Sequence, residues 1–136
     1  PVARRWFLES ILEMASDERH TVLFSTHITS DLERVASHVA LMKEGVILFH
    51  DELDTLKDQV KRLRLETASD LPQSFSVKGA LRTEVHGRNA IVTVPSATTA
   101  LVDELQDRWS AQIAVEDLNL EEIFLEMHAQ PTSHSN

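Results

Sequence analysis

The chain has 136 residues, a formal net charge of −9 and no cysteine. The length fits one ordinary domain or two very small ones, and the acidic excess has the wrong sign for a protein that binds a nucleic-acid backbone. Without cysteine there is no disulfide framework, which agrees with a reducing compartment. No apolar stretch approaches the roughly 20 residues that span a bilayer, and no signal peptide is recognisable, so we expect a soluble intracellular protein.

The first 60 residues predict a helix, a strand, a second helix, a hairpin and a short helix. Apolar residues recur with a helical period over residues 3–16, which is typical of a helix that covers a sheet. Residues 21–25, Thr-Val-Leu-Phe-Ser, predict a strand buried on both faces of a parallel sheet. Ser30 and Glu33 have capping-box spacing and predict a helix to about residue 37. Further on, the pattern predicts strands at 39–42 and 46–49 joined by a tight turn at Gly45, and a short helix at 51–60.

The remaining residues predict a small α+β unit. Strands are predicted at residues 62–66, 81–85, 91–94 and 113–115. Ser96 is the predicted N-cap of one helix, and Asn119 with Glu122 predicts a capping box that opens the last helix. We assign Trp6, Trp109 and the apolar stripe of the last helix to the core. The prediction is an α/β chain with one part at residues 1–60, a small α+β subdomain at 61–129 and a disordered tail at 130–136.

Sequence motifs for the common catalytic sites are not found. The three glycines, at positions 45, 79 and 87, lie in neither a GxxxxGK(S/T) nor a GxGxxG pattern, so the chain has no loop that could cradle phosphates. The seven histidines include no pair with metal-ligand spacing, and we predict no metal site. The basic residues between positions 57 and 64 have acidic neighbours and indicate a solvated mixed-charge face rather than a partner surface; they are Lys57, Lys61, Arg62 and Arg64.

The candidate site is Ser25-Thr26-His27, at the carboxyl end of the predicted buried strand and just before a helix. In open parallel sheets, ligands bind at this edge. An imidazole there can donate a hydrogen bond to a phosphate oxygen or a polarised water. The alternative is that His27 is simply a polar residue at the point where a strand reaches the surface.

Three stretches of the sequence, in the right order, resemble ATP-binding subunits of ABC transporters. Residues 21–27, Thr-Val-Leu-Phe-Ser-Thr-His, with the helix and hairpin over residues 31–49, resemble the H-loop region of that family. Residues 1–4, Pro-Val-Ala-Arg, resemble the family's "LDPVAR" sequence after the D-loop, and residues 115–125 resemble the "SLEDIFL" close of exporter-type (ABC-2-like) members. The match departs at residues 50–52, where many members have a glycine or another small residue; we interpret this as loop variation.

The resemblance implies that the chain is the C-terminal part of a P-loop-type ABC ATPase, whose parent couples ATP hydrolysis to export. His27 would correspond to the switch histidine that contacts the γ-phosphate, with Ser25 and Thr26 shaping its loop. The family's other nucleotide motifs precede the segment that matches Pro1, so ATP and Mg²⁺ would bind the complete parent and not this chain, which we do not expect to hydrolyse ATP alone. Because Pro1 is not an initiator methionine, we expect that the chain was cut or begins within a longer gene.

The family reading also implies partners: a membrane permease, a second ATPase subunit and a position at the inner face of the cell membrane, without insertion into it. Unpaired strand edges and bare apolar faces in residues 1–40 predict self-association, such as a dimer, or rearrangement of that region. A different hypothesis is a non-enzymatic regulatory or self-association module centred on residues 61–129. A third is an unrelated small α/β protein with a chance match to the H-loop.

Overall fold

The computed structural model describes residues 2–129, in which five helices and six strands follow one another. The helices are α1 (Val2–Ala15), α2 (Thr29–Val35), α3 (Leu53–Gln59), α4 (Thr99–Trp109) and α5 (Leu120–His128). The strands are β1 (His38–Lys43), β2 (Val46–Glu52), β3 (Lys61–Glu66), β4 (Arg82–His86), β5 (Asn89–Val94) and β6 (Gln112–Asp117). The mixed α/β class is therefore confirmed, while the tail predicted to be disordered lies outside the described residues.

The first two strands form the predicted hairpin. Its turn places Glu44 at φ 51° and Gly45 at φ 78°. Positive φ at both central residues is the type I′ geometry, whose twist matches that of the flanking strands. Residues 50–52, interpreted as a variable loop, instead continue β2 and pair with residues 38–40 of β1. The interpretation of residues 50–52 as a loop was wrong, because the pairing of β2 with β1 continues beyond the apolar residues of β2.

The other four strands form an antiparallel sheet in the order β4-β5-β3-β6. Each ladder among residues 2–129 is antiparallel, so the described residues do not form the parallel sheet that residues 21–25 were expected to join. Leu63 of β3 lies opposite Val92 of β5, and alternate residues of both strands make one apolar face. This face forms a core with α4. The sheet therefore has one apolar face, while its second face carries polar residues.

The two tryptophans have different environments. Trp109 of α4 packs against the core, with its ring centroid 5.0 Å from that of Phe75 and an interplanar angle of 74°. Its assignment to the core is confirmed. Trp6 is 70 % exposed, because α1 turns Leu8 and Ile11 inward and carries Trp6 on the opposite side of the helix. The core prediction for Trp6 was wrong.

Two of the predicted helix caps differ in the structure, and one is confirmed. The hydroxyl of Thr98, not Ser96, accepts from the Leu101 N–H at 3.1 Å and caps α4. Just before this cap, the Ala97 N–H donates to the carbonyl of Gln59 at 2.9 Å, which ties the chain to the end of α3. The capping box of α5 is formed as predicted: Asn119 Oδ1 accepts from the Glu122 N–H at 2.8 Å, and Glu122 Oε1 accepts from the Asn119 N–H at 3.2 Å.

A second apolar cluster lies between α5, α3 and β1. It is built from buried aliphatic side chains: Val39, Leu41, Leu53, Leu56, Val60, Leu118, Leu120 and Ile123. The core assignment of the α5 stripe is confirmed, since Leu120 and Ile123 are fully buried. The cluster contains residues from both sides of the predicted boundary near residue 60, and the division into domains stays a prediction.

Candidate functional site

Residues 21–28 approach the candidate histidine in a strand-like form without a strand partner. The side chains at even positions, from Val22 to Ile28, are half-buried, whereas those at odd positions, from Thr21 to His27, are exposed. A period of two is typical of a pleated chain with one face against the protein. However, the segment joins no ladder in the described residues, and Leu23 is 96 % exposed. The predicted buried strand is therefore not formed here, because no strand of the described residues lies beside it.

The three candidate side chains lie together by sequence but differ in exposure. Ser25 and His27 are exposed and Thr26 is half-buried. The Thr26 hydroxyl accepts a hydrogen bond from the Ile28 N–H at 3.0 Å, which closes a local turn before α2. His27 forms no hydrogen bond or ion pair within residues 2–129. Its imidazole is therefore available to an anionic or polar group from another molecule.

The helix after His27 begins without the predicted capping box. Its N-cap is Ile28, which has no capping side chain. The Glu33 carboxylate instead accepts from the Leu120 N–H at the start of α5, and Lys57 of α3 donates to it at 3.4 Å. A carboxylate is favourable there because the first N–H groups of a helix lack partners and its N-terminus is partly positive. Glu33 therefore ties α2 to the C-terminal helix.

On its other side, α2 is joined to α1 by an ion pair between Arg4 and Asp31. Arg4 Nε lies 3.0 Å and 3.1 Å from the two carboxylate oxygens, and Nη2 also donates to the first of them. These hydrogen bonds raise the pKa of Arg4 above its ordinary value. The residue patterns predicted both helices but carried no signal that Asp31 and Glu33 would point to different elements.

An apolar groove of about 660 Å³ lies beside the pleated segment. Residues 20–24 form one wall, Ile11 and Ala15 of α1 form another, and α2 and β1 complete it. His20, His38 and His50 also line the groove, a grouping that the sequence did not indicate. Within residues 2–129 no three histidine, aspartate or glutamate side chains are placed to hold a metal ion.

The basic residues assigned to a solvated face each have an acidic partner. Lys57 pairs with Glu33, Lys61 with Asp117, Arg62 with Glu122 and Glu126, and Arg64 with Glu116. The pairs of Lys61 and Arg64 are exposed, and that of Lys57 is partly buried. Arg62 is different, because it lies between the second face of the four-stranded sheet and α5, where Glu126 is 6 % exposed. The mixed-charge interpretation therefore missed an internal ion network at this position.

Comparison of the chain with protein-family models, with curated proteins and with solved structures returned no match. The described residues include no helix that is both long and apolar enough to cross a bilayer. A functional assignment therefore depends on the sequence motifs and on the geometry around His27.

Proposed function

We propose that this chain is the C-terminal part of the ATP-binding subunit of an ABC-type exporter. The observation that carries the proposal is the pleated segment at residues 21–28, which alternates in burial, lies beside an apolar groove and has no strand partner in the described residues. An apolar, strand-forming run with unpaired backbone groups suits a strand that belongs to a larger sheet. The three sequence resemblances at residues 1–4, 21–49 and 115–125 support the same assignment.

In this proposal His27 senses the γ-phosphate of ATP in the complete subunit, and Ser25 and Thr26 shape its loop. The exposed imidazole at the end of the pleated segment supports this role, because it is free to donate to a phosphate oxygen. The chain itself supplies no glycine-rich phosphate loop, so its residues do not form a nucleotide site alone. ATP and Mg²⁺ would be held by the complete parent, which works with a permease and a second ATPase subunit at the inner face of the membrane.

The first test is the DNA sequence in frame upstream of the codon for Pro1. An open frame that encodes GxxxxGK(S/T), then LSGGQ, then an apolar strand ending in Asp-Glu supports the proposal. A start codon or unrelated coding sequence at that place contradicts it.

The second test is ATP hydrolysis. The purified 136-residue chain should show none, and measurable turnover would contradict our account of the site. In the complete parent, His27→Ala should lower turnover on the order of 10²-fold, the usual loss when one donor to a developing charge is removed. His20→Ala is the matched control: it removes an exposed histidine at the other end of the same segment and should leave turnover unchanged.

A second candidate function, a self-association module, is favoured by the outward face of α1. Trp6, Phe7 and Met14 are each more than half exposed on this helix. Ser10 lies between them, and its hydroxyl already donates to the carbonyl of Trp6 at 2.9 Å, so burial of this residue in an interface would leave no polar group unpaired. In a dimer, the outward face of α1 on one copy would pack against the same face on the other copy.

Light scattering over a range of protein concentrations tests this candidate. A dimer that dissociates on dilution, and that Trp6→Lys abolishes, would support it. Leu125→Lys, an equally drastic change at an exposed apolar residue on α5, should leave the dimer intact. A chain that remains monomeric at all concentrations contradicts self-association and leaves the transport assignment untouched.

A further inference from the structure

The second face of the four-stranded sheet holds a polar cluster beneath α5. Arg82, Thr93 and Arg62 lie side by side across β4, β5 and β3, since Thr93 is in register with both arginines. Thr93 is 0 % exposed. Above it, Glu126 Oε1 accepts from Nη2 of Arg62 at 3.4 Å and forms an ion pair with Nη2 of Arg82 at 2.9 Å.

The buried side-chain nitrogen and oxygen atoms without a protein partner in residues 2–129 all belong to this cluster. They are Arg62 Nε, Arg82 Nε, Thr93 Oγ1 and Glu126 Oε2. A buried donor or acceptor without a partner is costly, and such atoms are rare in folded proteins. Four of them on residues that are neighbours across the sheet and α5 indicate one shared ligand rather than four separate defects.

The donor and acceptor chemistry of these atoms selects the ligand. The two Nε–H groups can only donate, the ionised carboxylate oxygen can only accept, and the hydroxyl can do either. An anion accepts but cannot donate to Glu126, and a metal cation would face two guanidinium groups. Water accepts two hydrogen bonds and donates two, so one molecule can satisfy all four atoms.

We propose that a single ordered water molecule is bound between Arg62, Arg82, Thr93 and Glu126 and joins α5 to the sheet. It accepts from the two arginine Nε–H groups and donates to the Thr93 hydroxyl oxygen and to Glu126 Oε2. The site is part of the folded chain and does not depend on the transport function proposed above.

A high-resolution crystal structure of the 136-residue chain tests the position. The expected result is a density peak about 2.7–3.2 Å from at least three of the four atoms. Thr93 Oγ1 bonded directly to Glu126 Oε2, with no water between them, would overturn the proposal. So would side chains packed so closely that no water fits.

Thr93→Val gives an independent test through the sign of its effect on folding. If the hydroxyl binds the water, its loss should lower the folding equilibrium constant about fivefold. If the hydroxyl has no partner, its removal should raise that constant. Thr83→Val, on the opposite face of the same sheet, is the matched control for the intrinsic effect of the substitution. A Thr93→Val chain at least as stable as the Thr83→Val chain would refute the water site.

Discussion

Glu126→Ala is expected to destabilise the fold more than any other charge removal on α5. Glu126 is the buried carboxylate between Arg62 and Arg82, and its removal leaves two guanidinium groups with fewer partners. The substitution also removes the contacts through which Glu126 joins α5 to the second face of the sheet. The matched control is Glu121→Ala, which makes the same change at an exposed position of the same helix.

The magnitude follows from the contacts and the exposure of the arginines. A hydrogen bond to a charged group contributes about 1.5–3 kcal/mol, and breaking a buried ion pair costs about 3–5 kcal/mol. Both figures need a reduction here, because the Arg82 side chain is 39 % exposed and that of Arg62 is 18 % exposed. Each arginine also keeps another carboxylate, Glu84 at 2.9 Å and Glu122 at 3.3 Å. We therefore expect a loss of about 2–3 kcal/mol for Glu126→Ala, against about 0.5 kcal/mol or less for the exposed control.

Urea unfolding followed by circular dichroism measures both variants. The urea concentration at the unfolding midpoint should be lower for Glu126→Ala than for the wild type. The dependence of the unfolding free energy on urea concentration should be the same for both, because the surface exposed on unfolding hardly changes. A difference of less than about 1 kcal/mol between the two variants would show that the network adds little to stability. The placement of α5 against the sheet would then depend on its apolar face alone.

Three further predictions concern the core, a cap and an exposed ion pair. Leu63→Ala, at a fully buried position on the central strand β3, should lower the free energy of unfolding by about 2–5 kcal/mol in urea, whereas Leu125→Ala, at an exposed position, should change it by about 0.5 kcal/mol or less. Asn119→Ala removes the α5 cap and should cost about 1 kcal/mol in the same assay; no measurable loss would contradict the capping box. The hydrogen bond from Lys61 holds the pKa of Asp117 below its ordinary value of 3.8, so this pair stabilises the fold above that pH and loses its contribution as the pH falls through the lower folded value. The stability gap between wild type and Asp117→Asn should therefore be present at neutral pH and close in acid, and a gap that is independent of pH would contradict the pairing.

The parts of the fold that the sequence predicted are those set by short-range chemistry. The β1–β2 turn needs positive φ at Gly45, and the capping box needs only Asn119 and Glu122 three residues apart. The stripe on α5 follows from the helical period. Each of these signals lies within a few residues, and each is found in the structure.

The failures of prediction share a dependence on distant elements. Ser30 and Glu33 have the spacing of a capping box, yet Glu33 points to α5, 87 residues from its hydrogen-bond partner. Trp6 lies on an apolar helix, yet within residues 2–129 only the opposite side of α1 is covered by other elements. Arg62 resembles a surface charge in sequence, and its burial is decided by where α5 lies. No window of neighbouring residues contains this information.

The candidate site combines both kinds of signal. The run from Thr21 to His27 predicted a strand that ends in an exposed imidazole before a helix, and the pleated burial pattern and the helix α2 are both present. The strand itself is not, because a ladder needs a partner and none lies beside this run in residues 2–129. Asp31 and Glu33 join α2 to α1 and α5. The loop that carries His27 is therefore anchored at its C-terminal end, where α2 begins. Any molecule that supplies the partner strand would therefore meet His27 in a defined position relative to α2, which is the condition that a contact to a bound phosphate would require.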